Sequence, residues 1–140
     1  MNPDGPYVRR DGETNPDNFV AHRHAMIRFS SIVGNLTSAY LLTQDKEYVD
    51  AILTHVRAWF VNESTKMNPN LQYAQAIKGI ATGRGIGIID TVHLMEVAQS
   101  LWQLEKLGVL SKDDIKSTKQ WFADYLKWMS NHPYGKDEMN

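Results

Sequence analysis

The 140-residue chain contains no cysteine. Disulfide bridges, thiolate nucleophiles and cysteine-ligated zinc are therefore excluded. It also lacks a run of apolar residues long enough to span a bilayer. Its first residues, MNPDG, lack the basic and apolar regions of a signal peptide. We therefore expect neither covalent cross-links nor a membrane partner.

An excess of basic residues is missing as well. Fifteen Lys and Arg stand against sixteen Asp and Glu, which gives a net charge of −1. Proteins that bind nucleic acids usually carry a basic excess, so we expect no nucleic-acid partner. Hydrophobic residues make up 42% of the chain and charged residues 22%, which is enough for a packed core. The length predicts a single domain, residues 1–140.

Apolar residues recur at three- and four-residue steps in several stretches, which is typical of amphipathic helices. We predict helices at about 16–42, at about 45–60, from Asp90 to Gly108, and after Ser111 up to the NHPYG sequence at 131–135. Good N-cap residues support three of these starts, namely Asn15 before Pro16, Asp90, and Ser111 with Asp114 three positions later.

Short links join these helices in pairs, so each pair is expected to form an antiparallel hairpin. A weak internal repeat agrees, because AWF at 58–60 and QWF at 120–122 occupy similar places in the two pairs. Stacked helix pairs build solenoids or toroids. The predicted fold class is therefore all-α, an incomplete α/α toroid of antiparallel helical hairpins with a long irregular loop. The open helix faces of such a stack offer a route to self-association.

The long loop between the hairpins, residues 61–89, is called the connector here. A loop of roughly thirty residues is unusual in a compact domain and tends to be functional. Its formal charges are Lys66, Lys78 and Arg84 against Glu63, a local +2 in a chain of −1. Four glycines, at positions 79, 83, 85 and 87, let backbone approach a ligand closely.

This composition suits an anionic, hydroxyl-rich ligand such as an acidic sugar. The Arg84 guanidinium can bind a carboxylate through two parallel hydrogen bonds. Tyr73 can stack on a sugar face, while Asn70 and Gln75 offer hydrogen bonds to hydroxyls. The alternative is a structural loop whose amides satisfy its own backbone, and residue types alone leave both interpretations open.

Other apparent motifs favour plainer explanations. His22 and His24 are two positions apart, so on a helix they point in nearly opposite directions and cannot share a metal. Asp90 and His93 share a face, but an N-cap and a packed histidine explain them better than a metal site. GRGIG lacks the preceding strand that a nucleotide-binding loop requires. We therefore expect no metal and no cofactor.

Four sequence segments are more specific than the helical periodicity. GPYVRRDGETNPD (5–17), HRHAM (22–26), MNPNLQYAQAIKGIATGRGIGIIDT (67–91) and HPYG (132–135) occur in this order and together span nearly the whole chain. In order and spacing they resemble the alginate lyase family of polysaccharide lyases. The resemblance implies an α/α toroid around a cleft and cleavage of uronate-containing polysaccharides by β-elimination.

That reaction needs a group that neutralises the uronate carboxylate, a base that removes the C5 proton and an acid that protonates the leaving O4 oxygen. The family usually gives this work to an Asn-His pair, an arginine and a tyrosine. The resemblance places the Asn-His pair beyond Asn140, so we expect an N-terminal part of a larger enzyme, nearly inactive alone. No catalytic residue is assigned, and His132 and Tyr134 in particular receive no such role.

The resemblance does imply substrate contacts within this chain. The candidate substrate-binding residues are Asn70, Tyr73, Gln75 and Arg84, followed by Arg9, Arg10 and His22. The implied partner is an anionic polysaccharide, and the implied location is periplasmic or secreted. Two alternatives are a non-catalytic helical module that binds acidic glycans or a protein partner, and a purely structural helical domain.

Overall fold

The computed structural model describes residues 20–139 of the chain. Its helices are α1 (Ala21–Thr43), α2 (Lys46–Phe60), a 3₁₀ helix (Gly85–His93), α3 (Leu94–Lys106), α4 (Lys112–Asn131) and α5 (Pro133–Glu138). Within this range no strand forms, apart from an isolated bridge between Ile77 and Ala81. None of the helices described is long and apolar enough to cross a membrane. The predicted all-α class is confirmed.

Two short turns reverse the chain, one within each helix pair. Gln44 adopts a left-handed conformation (φ 60°) between α1 and α2, and Gly108 does so (φ 69°) between α3 and α4. Helix α1 packs beside α3, and α2 packs beside α4. Contacts advance in the same direction along α1 and α3, from Ser30 with His93 to Gly34 with Glu96, so these helices run parallel.

The hydrophobic core lies between these two layers. Its best-buried side chains come from α1, α2 and α3: Val33, Ile52, Val56, Val97 and Leu104. Trp121 and Tyr125 of α4 close the core from the other side, with exposures of 4% each. The periodic apolar residues of the sequence thus face inward, as amphipathic helices require.

Two predicted helix starts are wrong. Helix α1 begins at Ala21 rather than near Pro16, because Val20 is not helical (φ −121°, ψ 0°), and the predicted Asn15 cap lies outside the described residues. Helix α3 begins at Leu94 rather than at Asp90. Asp90 is only 4% exposed and forms an ion pair with Arg23 at 3.3 Å, so its carboxylate serves a tertiary contact instead of a cap.

The starts of α2 and α4 agree with the sequence. Asp45 accepts a hydrogen bond from the Glu47 backbone N–H at 3.0 Å, and Ser111 Oγ accepts one from the Asp114 N–H at 3.1 Å. The NHPYG sequence ends α4 at Asn131 as predicted, but it also begins the short helix α5, which was not predicted.

A series of aromatic rings connects the helices. It runs through Phe29, Trp59, Phe60, Trp121, Tyr125, Trp128, His132 and Tyr134. The ring centroids in contact lie between 4.5 Å and 6.1 Å apart. Aromatic pairs at these separations stabilise a core beyond their buried area. The series therefore joins α1 to α5 through the middle of the molecule.

A bidentate ion pair links α2 to the start of α4. Arg57 Nε donates to Asp114 Oδ1 at 2.8 Å, and Arg57 Nη2 donates to Asp114 Oδ2 at 2.7 Å. Hydrogen bonding from Arg57 lowers the pKa of Asp114 from its ordinary value of 3.8, burial opposes this shift, and a hydrogen bond from Ser111 adds to it. The ionised carboxylate is therefore favoured by folding.

We expect Asp114→Asn to lower the free energy of unfolding by about 1–2 kcal/mol at neutral pH. The effect is no larger because the Arg57 side chain is 47% exposed and solvent screens the ion pair. The folded-state pKa of Asp114 is lowered, so its stabilisation is present above the unfolded pKa and is lost as pH falls below about 4. Urea unfolding of both proteins at pH 7 and pH 3 checks this.

Asp113→Asn is the matched control, because Asp113 is the exposed neighbour in the same helical turn. It should change the free energy of unfolding by only a few tenths of a kcal/mol. The assignment would be contradicted if the difference in free energy of unfolding between wild type and Asp114→Asn were as large at pH 3 as at pH 7.

Candidate functional site

The connector and the 3₁₀ helix at its end are held by polar atoms of three aromatic side chains. Trp121 Nε1 donates to the Met67 carbonyl at 2.7 Å, near the start of the connector. Tyr134 Oη donates to the Gly83 carbonyl at 2.9 Å, near its far end. The Tyr125 hydroxyl lies 2.8 Å from Thr91 Oγ1 in the 3₁₀ helix. All three aromatic residues belong to α4 or α5, so the second hairpin determines where the connector lies.

Two stretches of the connector cross where side chains are absent. A Cβ atom at Gly83 would lie 1.8 Å from the Gln72 carbonyl oxygen, and one at Gly87 would lie 2.4 Å from the Ala74 Cβ. No other residue fits at such distances without moving the backbone. Gly83 and Gly87 therefore allow two segments of backbone to approach each other closely. The sequence had suggested instead that they allow a ligand to approach the backbone.

The crossing fixes Arg84 against Gln75. The Arg84 backbone N–H donates to the Ala74 carbonyl at 3.0 Å. The Arg84 side chain donates through Nε to the Gln75 carbonyl at 2.9 Å and through Nη2 to Gln75 Oε1 at 3.2 Å. Gln75 itself has a left-handed backbone (φ 49°). The guanidinium is thus half-buried and held in one orientation by its neighbour.

Tyr73 lies next to this pair. A Cβ atom at Gly83 would lie 2.9 Å from the Tyr73 Cα, so the backbones of Tyr73 and of the Gly83–Arg84 turn are adjacent. The Tyr73 side chain is 68% exposed. The structure therefore brings Tyr73, Gln75 and Arg84 together, with the tyrosine ring open to solvent and the guanidinium anchored.

The other candidates have different surroundings. Asn70 Oδ1 accepts a hydrogen bond from the Gln72 N–H at 3.2 Å, so part of its side chain stabilises a local turn. His22 is exposed in the first turn of α1, whereas Arg9 and Arg10 lie outside the described residues. Lys66 forms an ion pair with Glu63 at 2.6 Å.

The HPYG segment supports the Arg84 turn, a role that the sequence analysis missed. The His132 ring stacks on Trp128 at 4.8 Å and meets Tyr134 edge-on at 4.8 Å. His132 Nδ1 accepts a hydrogen bond from the Tyr134 N–H at 3.2 Å, which caps α5. A Cβ atom at Gly85 would lie 3.3 Å from the Tyr134 carbonyl oxygen. In the sequence, this role was indicated only by the presence of both HPYG and GRGIG among the segments that resemble the family.

Residues 20–139 show no cluster of His, Asp or Glu side chains that could hold a metal. Asp90 is paired with Arg23, and His93 contributes its backbone carbonyl to Ser30 Oγ at 2.7 Å. Two cavities in this part of the chain also lie away from the connector. One is an apolar gap of about 200 Å³ among α2, α3 and α4, and the other is a polar groove between α1 and α3.

Comparisons with known proteins agree on one family. A family model described as alginate lyase matches residues 1–140. Among solved structures, an alginate lyase from Bacteroides ovatus is similar, with 32% sequence identity and a TM-score of 0.85. The similarity covers 94% of this chain and 35% of that one, so this chain spans about a third of its length. No curated protein matches the chain.

We expect Tyr134→Phe to loosen the Arg84 turn, because the buried Gly83 carbonyl loses its 2.9 Å hydrogen bond. The free energy of unfolding should fall by about 1 kcal/mol. Amide hydrogen exchange at Arg84 should accelerate by more than that of the core helices. Tyr48→Phe, on the half-buried face of α2, is the control and should leave exchange at Arg84 unchanged. Equal exchange in Tyr134→Phe and wild type would refute the supporting role.

Proposed function

The chain belongs to the alginate lyase family, and we propose that it takes part in the cleavage of alginate or a related polyuronate by β-elimination. It spans about a third of the similar lyase, so the activity of a whole enzyme is part of this proposal. The task proposed for the described residues is to bind the acidic sugar chain. We further propose a periplasmic or extracellular location, where a polymeric substrate is accessible.

One observation carries the proposal. Arg84, held by Gln75, belongs to a turn whose backbone is adjacent to that of Tyr73. Tyr73 is 68% exposed, and the formal charges of the connector sum to +2. A guanidinium binds a carboxylate strongly, and an oriented guanidinium loses little conformational freedom when it does so. The Tyr73 ring offers a flat surface for the apolar face of a sugar.

This arrangement meets one requirement of β-elimination. A cation near the uronate carboxylate stabilises the negative charge that develops when the C5 proton leaves. Arg84 is the residue proposed for this contact, with Tyr73, Asn70 and Gln75 as positioning partners. His132 and Tyr134 are not proposed as catalytic groups, because His132 Nδ1 and the Tyr134 hydroxyl are engaged in backbone hydrogen bonds.

Titration calorimetry with a mannuronate oligosaccharide tests the binding part. We expect the wild-type chain to bind and Arg84→Ala to weaken binding by about tenfold or more, since a charged hydrogen bond contributes roughly 1.5–3 kcal/mol. Tyr73→Ala should weaken binding too, through the loss of stacking. The affinity should fall as salt concentration rises, because the contact is ionic.

Lys127→Ala on α4 is the matched control, because it also removes one positive charge, and Lys127 is an exposed residue outside the connector. It should leave the affinity unchanged. Absence of binding by the wild type, or equal affinities for Arg84→Ala and Lys127→Ala, would contradict the proposal. Ultraviolet absorbance from unsaturated sugar ends reports turnover, and saturable binding without turnover would favour a non-catalytic glycan-binding module.

A further inference from the structure

We propose that the groove between α1 and α3 is a second sugar-binding site, which takes an uncharged pyranose unit through its hydroxyl groups. The groove lies on the solvent side of the α1/α3 layer and shares no residue with the connector site. The inference therefore does not depend on the uronate contact proposed for Arg84.

The groove has the volume of a ligand site and a largely polar lining. Its volume is about 590 Å³, within the range of roughly 300–1,000 Å³ that is usual for small-molecule sites. Helix α1 contributes Ser31, Asn35 and Ser38 at helical spacing, so these three residues share one face. Across from them, α3 contributes Glu96 and Gln99. Hydroxyl, amide and carboxylate groups thus face each other across the groove.

Apolar side chains complete the lining. Val92 is 50% exposed and Met95 is 60% exposed, and both belong to the wall that carries Gln99. A pyranose ring has polar hydroxyls around its edge and an apolar C–H face. A groove with one apolar strip and several hydrogen-bonding side chains matches both properties of such a ring.

The floor of the groove is rigid. Gly34 has no side chain, and a Cβ atom there would lie 2.7 Å from Glu96 Oε1. The Glu96 carboxylate therefore extends over the α1 backbone at this point. Ser30 Oγ donates to the His93 carbonyl at 2.7 Å, which ties the two helices together beneath the groove. A rigid floor reduces the ordering cost of binding.

Charge indicates the class of ligand. Among residues 20–139, Glu96 is the only Asp, Glu, Lys or Arg side chain that lines the groove. A carboxylate accepts strong hydrogen bonds from sugar hydroxyls. It also repels a second carboxylate, so a uronate unit is disfavoured in this position. The groove is thus suited to a neutral sugar, in contrast to the cationic connector.

The opposite layer shows what an ordinary solvated surface looks like in this protein. Exposed positions of α2 and α4 are rich in charge: Lys46, Glu47, Asp50, Lys116, Lys119, Asp124 and Lys127. The exposed α1 positions that line the groove, Ser31, Asn35 and Ser38, are all uncharged. The groove-lining face of α1 therefore differs in charge from the exposed faces of α2 and α4.

Saturation-transfer NMR and titration calorimetry with mannotetraose, a neutral tetrasaccharide, test the site directly. We expect saturable binding, with chemical-shift changes at Asn35 and Gln99. Gln99→Leu should weaken binding at least about tenfold by removing a hydrogen-bonding group and leaving sugar hydroxyls unpaired. The mannuronate tetrasaccharide should not compete for the groove.

Two further variants sharpen the test. Gly34→Ala should remain folded, because alanine suits the helix and only the Glu96 side chain must move, yet it should weaken mannotetraose binding. Glu96→Gln should remove the discrimination between the neutral and the acidic tetrasaccharide. Gln103→Leu, on the exposed side of α3 but outside the groove, is the matched control and should bind mannotetraose like the wild type.

The proposal is overturned by three results. These are no saturable binding of mannotetraose, equal affinities for Gln99→Leu and Gln103→Leu, or shift changes confined to Tyr73 and Arg84. Arg84→Ala separates the two sites, because it should weaken mannuronate binding and leave mannotetraose binding intact. Failure of only one of these ligands to bind therefore identifies which of the two proposals is wrong.

Discussion

The position of the connector and of the 3₁₀ helix at its end depends on hydrogen bonds formed by the polar atoms of three aromatic side chains. Ordering an irregular segment costs about 1–2 kcal/mol per residue in backbone entropy, and helical hydrogen bonds are not available to offset it. Trp121, Tyr125 and Tyr134 provide the offset by burying their rings in the aromatic series while their polar atoms hold Met67, Thr91 and Gly83. The first hairpin alone therefore cannot define the surroundings of Arg84.

The candidate site follows from this constraint. Where the connector crosses itself, Gly83 and Gly87 let the backbones touch, and the contact places Arg84 on Gln75. The result is an anchored cation in a turn whose backbone is adjacent to that of the exposed Tyr73. The groove on α1 and α3 is built differently, from straight helices with short polar side chains. The molecule thus presents one surface that carries Arg84 and another that carries the Glu96 carboxylate among polar side chains.

Local signals explain which features the sequence predicts well. Helices α2 and α4 begin where predicted because Asp45 and Ser111 act on backbone atoms only two or three residues away. The start of α3 was wrong because Asp90 pairs with the distant Arg23. The sequence named Tyr73, Gln75 and Arg84 as candidate substrate-binding residues, and their role in binding stays a prediction. The left-handed Gln75 and the Tyr134 contact were not predictable, since both depend on residues far apart in the chain.

The parallel course of α1 and α3 has an electrical consequence. Their amino ends both lie at the connector end of the molecule, where the carboxyl ends of α2 and α4 also lie. Each helix terminus carries a partial charge of about half an elementary charge, positive at amino ends and negative at carboxyl ends. One end of the protein therefore carries two positive amino ends in the α1/α3 layer and two negative carboxyl ends in the α2/α4 layer.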